Sequence, residues 1–368
     1  MNFEYFVETF GEGGTVAVAG LVVGLAFGAL AQRSRFCMRS AVIEFFHGHV
    51  GPKVVVWTLA FGAAIAGTQA LISLDLLDVS SARQLNGQGS LSGAVIGGLM
   101  FGAGMVLARG CASRILVLSA TGNLRAFVTG LILTIIAQSS LRGILSPVRE
   151  WFAGLWIISG EGARDLAILM NLSDSTPLTI GAAIFIISLI LAVRRGVSRW
   201  MIVGSTGVGL MIMAGWLVTY NISFQSFNPV AVKSISFIGP SADTLMGLIN
   251  HPNLPLVFDL GLVPGVFAGS FFAALLGREL KMQCFTIEEY PMPRYIIGAV
   301  LMGFGGMLAG GCAVGAVMTG GAVFSLTAFV AMAAMWFGGG ITDYLVDRRR
   351  DRSTAESFPG GIDRILVR

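Results

Sequence analysis

Of 368 residues, 55% are hydrophobic and only 12% are charged, with a formal net charge of +4. Soluble domains carry about 25% charged residues, so this composition excludes a water-soluble globular protein. A net charge this small gives a nucleic-acid partner no footing. What remains is an all-α polytopic membrane protein. Its first apolar run, residues 13–32, follows the acidic Glu4, Glu8 and Glu12 without the basic region of a cleavable leader, so it reads as the first span. Further runs follow at 54–77, 91–120 and 124–144, then 177–194 and 201–219, and last 256–277, 295–320 and 322–346. Each is near the roughly 20 helical residues that cross a bilayer core, which predicts nine spans.

Basic residues gather at alternate ends of these runs. Arg33, Arg35, Arg39 and Lys53 flank the first hairpin, and Arg194, Arg195 and Arg199 fill the tight loop before span six. Arg278, Lys281 and Arg294 lie between spans seven and eight, and Arg348, Arg349, Arg350 and Arg352 follow span nine. Positive loops stay in the cytoplasm. One topology then satisfies every cluster: N-terminus periplasmic, C-terminus cytoplasmic, with segments 145–176 and 220–255 outside a bacterial inner membrane. Within 220–255 Lys233 is the only basic residue, a candidate for the outer mouth.

Two stretches are similar to one another. Residues 96–112 align without a gap on residues 297–313, and the shared glycine ladder ends in Gly110-Cys111-Ala112 and Gly311-Cys312-Ala313. With the arginine topology, the match predicts an inverted repeat: spans one to four (about 13–144), a connector (about 177–194) and spans six to nine (about 201–346). Residues 1–350 form one transmembrane domain on this reading, with 351–368 a cytoplasmic tail. Glycine pairs weaken a helix, so spans three and eight are expected to break at Gly110 and Gly311, as broken or re-entrant helices at the midplane. Broken backbone at membrane depth is tolerated where it lines a cavity. The helix restarting there points free N–H groups at it, a place for an anion. Arg109 adds a full charge in repeat one and Arg114 follows a turn later, whereas Gly97, Gly102, Gly298 and Gly303 have the spacing of helix-packing positions.

A buried cysteine is ordinarily a small hydrophobe; the repeat lifts Cys111 and Cys312 above that. Cys37 lies just past span one on the cytoplasmic side, among Arg33, Arg35 and Arg39, which would draw an anion toward it. Cys284 follows span seven and reads as structural. The four cysteines and three histidines have no metal-site spacing, so no metal and no cofactor is expected.

Arg33-Ser34-Arg35-Phe36-Cys37, Arg109-Gly110-Cys111-Ala112-Ser113 and Gly310-Gly311-Cys312-Ala313-Val314-Gly315, in this order, resemble the YeeE/YedE family of sulfur-compound transporters. The resemblance covers about residues 10–350. It implies an hourglass-like inverted-repeat fold, thiosulfate or a related sulfur anion as cargo, and a relay in which Cys37, Cys111 and Cys312 pass the anion across the membrane. Cys284 has no place in that pattern. The substrate-binding set is then Cys37, Cys111, Cys312, Arg109, Gly110 and Gly311, with no catalytic residue. A neutral thiol gives a dianion a weak S–H donor without repelling it, and weak serial contacts let it leave. Two other readings stay open: a membrane sulfurtransferase that forms a persulfide on Cys37, and a membrane anchor for a soluble sulfur enzyme. A cytoplasmic sulfur-accepting protein is the macromolecular partner considered beside the small anion and the bilayer.

Overall fold

The computed structural model describes residues 4–86, 88–159, 162–173, 175–226, 230–250, 256–283 and 291–348. Cys284 and the tail beyond Arg348 lie outside the described residues. In chain order the helices are α1 (Glu4–Ser34), α2 (Met38–Phe46), α3 (Pro52–Ser73), α4 (Leu91–Leu107), α5 (Ala112–Ala120), α6 (Leu124–Arg142), α7 (Ser146–Gly154) and α8 (Leu166–Leu169). They continue as α9 (Thr176–Arg194), α10 (Arg199–Gln225), α11 (Ile238–Asn250), α12 (Phe258–Leu276), α13 (Met292–Leu308), α14 (Thr319–Ala322) and α15 (Leu326–Thr342). Two π-helical segments, Ala313–Met318 and Asp343–Arg348, precede α14 and follow α15. A ribbon of β1 (Gly89–Ser90) and β2 (Ile157–Ile158) is the only sheet among the described residues.

Nine segments among the described residues are long and apolar enough to cross a membrane, at the places the sequence gives them. Local chemistry sets their ends. Pro52 opens α3, where the Glu44 carboxylate accepts the Lys53 and Val54 N–H groups at 2.9 and 2.8 Å, a negative charge at a helix N-terminus. The Ser90 hydroxyl and Asn123 amide oxygen cap α4 and α6 through the N–H groups of Gly93 and Ala126. Span two stops at Ser73, short of 77, because Asp75 turns left-handed (φ 54) and closes the helix.

Small residues set the packing. In α4 and α13, a Cβ on Gly97 would stand 2.5 Å from the Gly305 carbonyl, and one on Gly104 would stand 2.7 Å from that of Gly298. The two helices are therefore antiparallel and in near backbone contact, as glycine seams in membranes allow. Gly102 meets the backbone of Met335 and Gly339 in α15, and Gly303 meets that of Leu133 in α6. All four packing glycines thus lie in helix seams. A second seam joins α1 to α12, where Gly20, Gly24 and Gly28 interleave with Gly261, Gly265 and Gly269; here the helices are parallel. α3 packs on α10 in the same sense, and on α9.

Two segments depart from the sequence-based picture. Cys37 is not in a loop beyond span one: the chain breaks there and continues apolar into α2, with Phe36, Cys37, Met38, Ala41 and Val42 all buried. Segment 220–255 is not wholly external. α10 runs on to Gln225, and the stretch beyond it re-enters the core, burying Ser234, Ile235, Phe237, Ile238 and Ala242. Its apolar run is too short for a span and is interrupted by Lys233 and two serines, one of which ties the chain inward. Ser234 donates to the Ile212 carbonyl at 2.6 Å.

Candidate anion path

Spans one, three and eight break in one way. Arg35, Arg109 and Gly310 each take a left-handed conformation (φ 52, 57 and 83). The next N–H returns to a carbonyl five residues back: Phe36 to Ala31 at 3.2 Å, Gly110 to Met105 at 3.0 Å and Gly311 to Gly306 at 2.8 Å. This pattern closes a helix by satisfying its last carbonyls. Directly after each closure stands a cysteine in extended conformation, and a new helical segment starts on it: Cys37 caps α2, Cys111 caps α5 and Cys312 caps the π-segment Ala313–Met318. Each thiol therefore sits at a helix N-terminus, where N–H groups lack intrahelical partners.

All three cysteines are buried and reduced. Cys37 and Cys111 meet, Sγ to Sγ at 3.9 Å, and the Ser113 hydroxyl lies 3.4 Å from the Cys111 sulfur. Cys312 has other company. Its sulfur accepts from the Gly315 N–H at 3.4 Å, and the N–H groups of Val314, Phe237 and Ile238 face it. The last two open α11. The re-entrant segment thus supplies a fourth helix N-terminus, held by a Thr319 hydroxyl donating to the Ile235 carbonyl at 2.7 Å. The sequence reading missed it, because no cysteine marks the turn; the serine-spaced apolar run 230–238 was the available signal.

Of the other sequence-derived residues, Gly110 and Gly311 are buried in the turns and Arg109 is exposed. Arg109 lies within electrostatic range of Arg39. Arg114 reaches Gln32 (3.3 Å), which donates to Glu279 (2.8 Å), a polar chain beside Cys37 and Cys111. Arg294, at the start of α13, pairs with Asp347 at 2.7 Å. Lys233 pairs with Asp259 at 2.6 Å, so its charge is already met.

At the other end of α13 stands a different arginine, Arg83, with Arg164 behind it, and the sequence reading passed both by. Arg83 donates to the Gly310 carbonyl at 3.1 Å, in the turn that leads into Cys312. Arg164 donates to the carbonyls of Arg83 and Asn86 at 2.9 and 3.2 Å. Burial and the neighbouring Arg83 charge push the Arg164 guanidinium down from its ordinary value. Carbonyl dipoles hold these guanidiniums in place without cancelling them, leaving charge for an anion. By contrast, the cavity of about 200 Å³ between α5, α6, α11 and α12 is lined chiefly by apolar groups such as Ile115, Leu133, Phe237 and Val263. It can take a hydrocarbon chain but not a dianion.

Residues 33–341 match a family model described as sulphur transport. Two relatives are similar to nearly the whole chain. The thiosulfate transporter TsuA of Spirochaeta thermophila is 27% identical over 350 residues, covering 90% of this chain and 99% of that protein. Thiosulfate transporter TsuA of Escherichia coli K12 is 24% identical over 364 residues, covering 92% and 97%.

Proposed function

The chain belongs to the sulphur transport family, and from that premise we propose that it takes up thiosulfate across a bacterial inner membrane through Cys312, Cys111 and Cys37. The observation that carries this reading is the threefold recurrence of one turn: helix closure, cysteine, new helix N-terminus. A sulfur dianion needs donors without a fixed counter-charge strong enough to trap it, and each turn offers an S–H and helix-end N–H groups. Arg83 and Arg164 gather the anion at the outer face. It passes Cys312 and the α11 N-terminus, reaches the touching pair Cys111 and Cys37, and leaves past Arg109 and Arg39. Gly110 and Gly311 let the turns close tightly against the path.

The helix pairings support an inverted repeat of about 13–144 and 201–346 around the connector 177–194, within a single domain of residues 1–350 and a tail of 351–368. Exchanging the two halves turns the α1–α12 pair into α10–α3 and the α4–α15 pair into α13–α6, and maps the α4–α13 pair onto itself. The arginine-rich ends of spans one, eight and nine would face the cytoplasm, placing the N-terminus in the periplasm and the C-terminus inside, where a sulfur-accepting protein would take the product.

Contact between Cys37 and Cys111 would equally suit sulfane transfer through a persulfide. Isotope uptake separates the two. Thiosulfate labelled in either the inner or the outer sulfur is presented to right-side-out vesicles containing the protein. Transport delivers both labels together as intact thiosulfate; a single label appearing inside would replace transport with sulfur transfer.

A further inference from the structure

The inner mouth holds a carboxylate where the proposed path needs an anion. In the π-helical turn Asp343–Arg348, Asp343 and Asp347 fall about one turn apart, on one face. Asp343, which is buried, takes His47 at 2.9 Å and Arg348 at 3.8 Å. Arg348 also donates to the Phe46 carbonyl at the end of α2. These contacts fasten the end of the last span to α2, the helix that starts on Cys37. Asp347 has other partners. Its Oδ1 lies 2.7 Å from Arg294 and its Oδ2 lies 3.9 Å from Arg39, and all three side chains are largely buried. Arg39 is also within electrostatic range of Cys37 and Arg109.

Arg39 is thus shared between an internal carboxylate and the thiol from which the cargo would leave. Two guanidiniums this withdrawn from water demand a negative partner, because an unpaired buried charge costs several kcal/mol. A fixed carboxylate and a diffusing dianion are alternative ways to meet that demand. π-Helical turns in turn are often found at functional sites.

We infer that Asp347 is the inner gate: its carboxylate stands in for the anion on Arg39 and Arg294, and an arriving anion exits by displacing it. The inference rests on the inward path proposed above. It adds that the arginine pair is never left bare, so the inner mouth is closed to anions while Asp347 is seated.

The test uses full-length protein in detergent and follows modification of Cys37 by peptide mass spectrometry. Two small methanethiosulfonates of similar size serve as probes, one an anionic sulfonate and one a cationic trimethylammonium. Asp347→Asn should accelerate the anionic reagent about tenfold, the scale of electrostatic focusing in a cleft, with no acceleration of the cationic one. Asp347→Glu should behave as wild type. Asp347→Ser provides the same readout should Asp347→Asn fail to give a monodisperse protein. Because the probe is not thiosulfate, the result stands apart from isotope uptake: failed uptake with selective acceleration would remove the cargo and leave the gate. Equal acceleration of both reagents would mean that the helix end had merely loosened. That outcome, or no acceleration of either, overturns the gate.

Discussion

Cys37 and Cys111 are 74 positions apart in the chain, yet their sulfurs meet at 3.9 Å because each is fixed as the N-cap of a short helix. Neither side chain has freedom to withdraw from the other, since both are packed into the core. Two consequences follow from this contact. A thiol oxidant should join the two cysteines, and uptake should stop until a reductant is added; peptide mapping that finds no Cys37–Cys111 link in an inactivated sample would speak against the pairing. Truncation should also act on the pair as a unit. A hydrogen bond to a charged group is worth about 1.5–3 kcal/mol, so Cys111→Ala should lower uptake roughly 10- to 100-fold. Cys37→Ala together with Cys111→Ala should be scarcely worse than either alone, as for groups that act jointly. Independent, multiplying losses in uptake assays would show two separate sites. Stability should change little, by about 1 kcal/mol, because the removed group is small.

At the scale of elements, the break before each cysteine is the feature on which the proposed path depends. Its left-handed residue is Arg in spans one and three but Gly in span eight, and a left-handed L-residue costs roughly 1–2 kcal/mol. Gly310→Ala should therefore lose about 1 kcal/mol, since open space surrounds its Cβ position. Gly311→Ala should lose distinctly more. Its φ is 155, and a Cβ there would stand 2.8 Å from the Ala316 N, inside the π-segment that carries the Cys312 site. Thermal unfolding in detergent compares the two; equal losses would mean that the turn relaxes freely. Much of this was legible in the sequence. The glycine ladder ending in Gly-Cys-Ala announced the breaks of spans three and eight, and the nine apolar runs became nine segments of membrane-crossing length among the described residues. The break at Cys37 was hidden, because Arg35 occupies the left-handed position without glycine and the flanking arginines resemble an ordinary cytoplasmic loop. Re-entry at 230–238 was hidden too. That stretch is apolar but too short for a span, and its place shows only once Thr219 and Thr319 are seen donating to its Lys233 and Ile235 carbonyls and Ser234 to the Ile212 carbonyl.

Across the whole molecule the two mouths are built from one residue type in two electrostatic settings. Arg83 and Arg164 are held by carbonyl oxygens at one end of α13, whereas Arg39 and Arg294 share a carboxylate at the other. On the proposed path, a mouth with uncancelled charge favours capture of the anion, and one that is internally neutralised favours its release. Sidedness is the first requirement. Cysteines introduced at Asp78 and at Arg195 should be labelled by an impermeant reagent from opposite sides of the membrane, Arg195→Cys from within; labelling from one side would remove the inverted topology. Granted that topology, kinetics tell the mouths apart. Arg83→Gln weakens the encounter of external thiosulfate with the protein, so its KM should rise several-fold, most at low ionic strength where the field reaches furthest. Arg39→Gln leaves the outer mouth intact and removes the shared guanidinium at the exit, so its maximal rate should fall with the external KM little changed. Uptake in vesicles over a range of thiosulfate and salt concentrations measures both. If Arg83→Gln lowers only the maximal rate, or Arg39→Gln raises only the external KM, the two ends of α13 have been given the wrong roles.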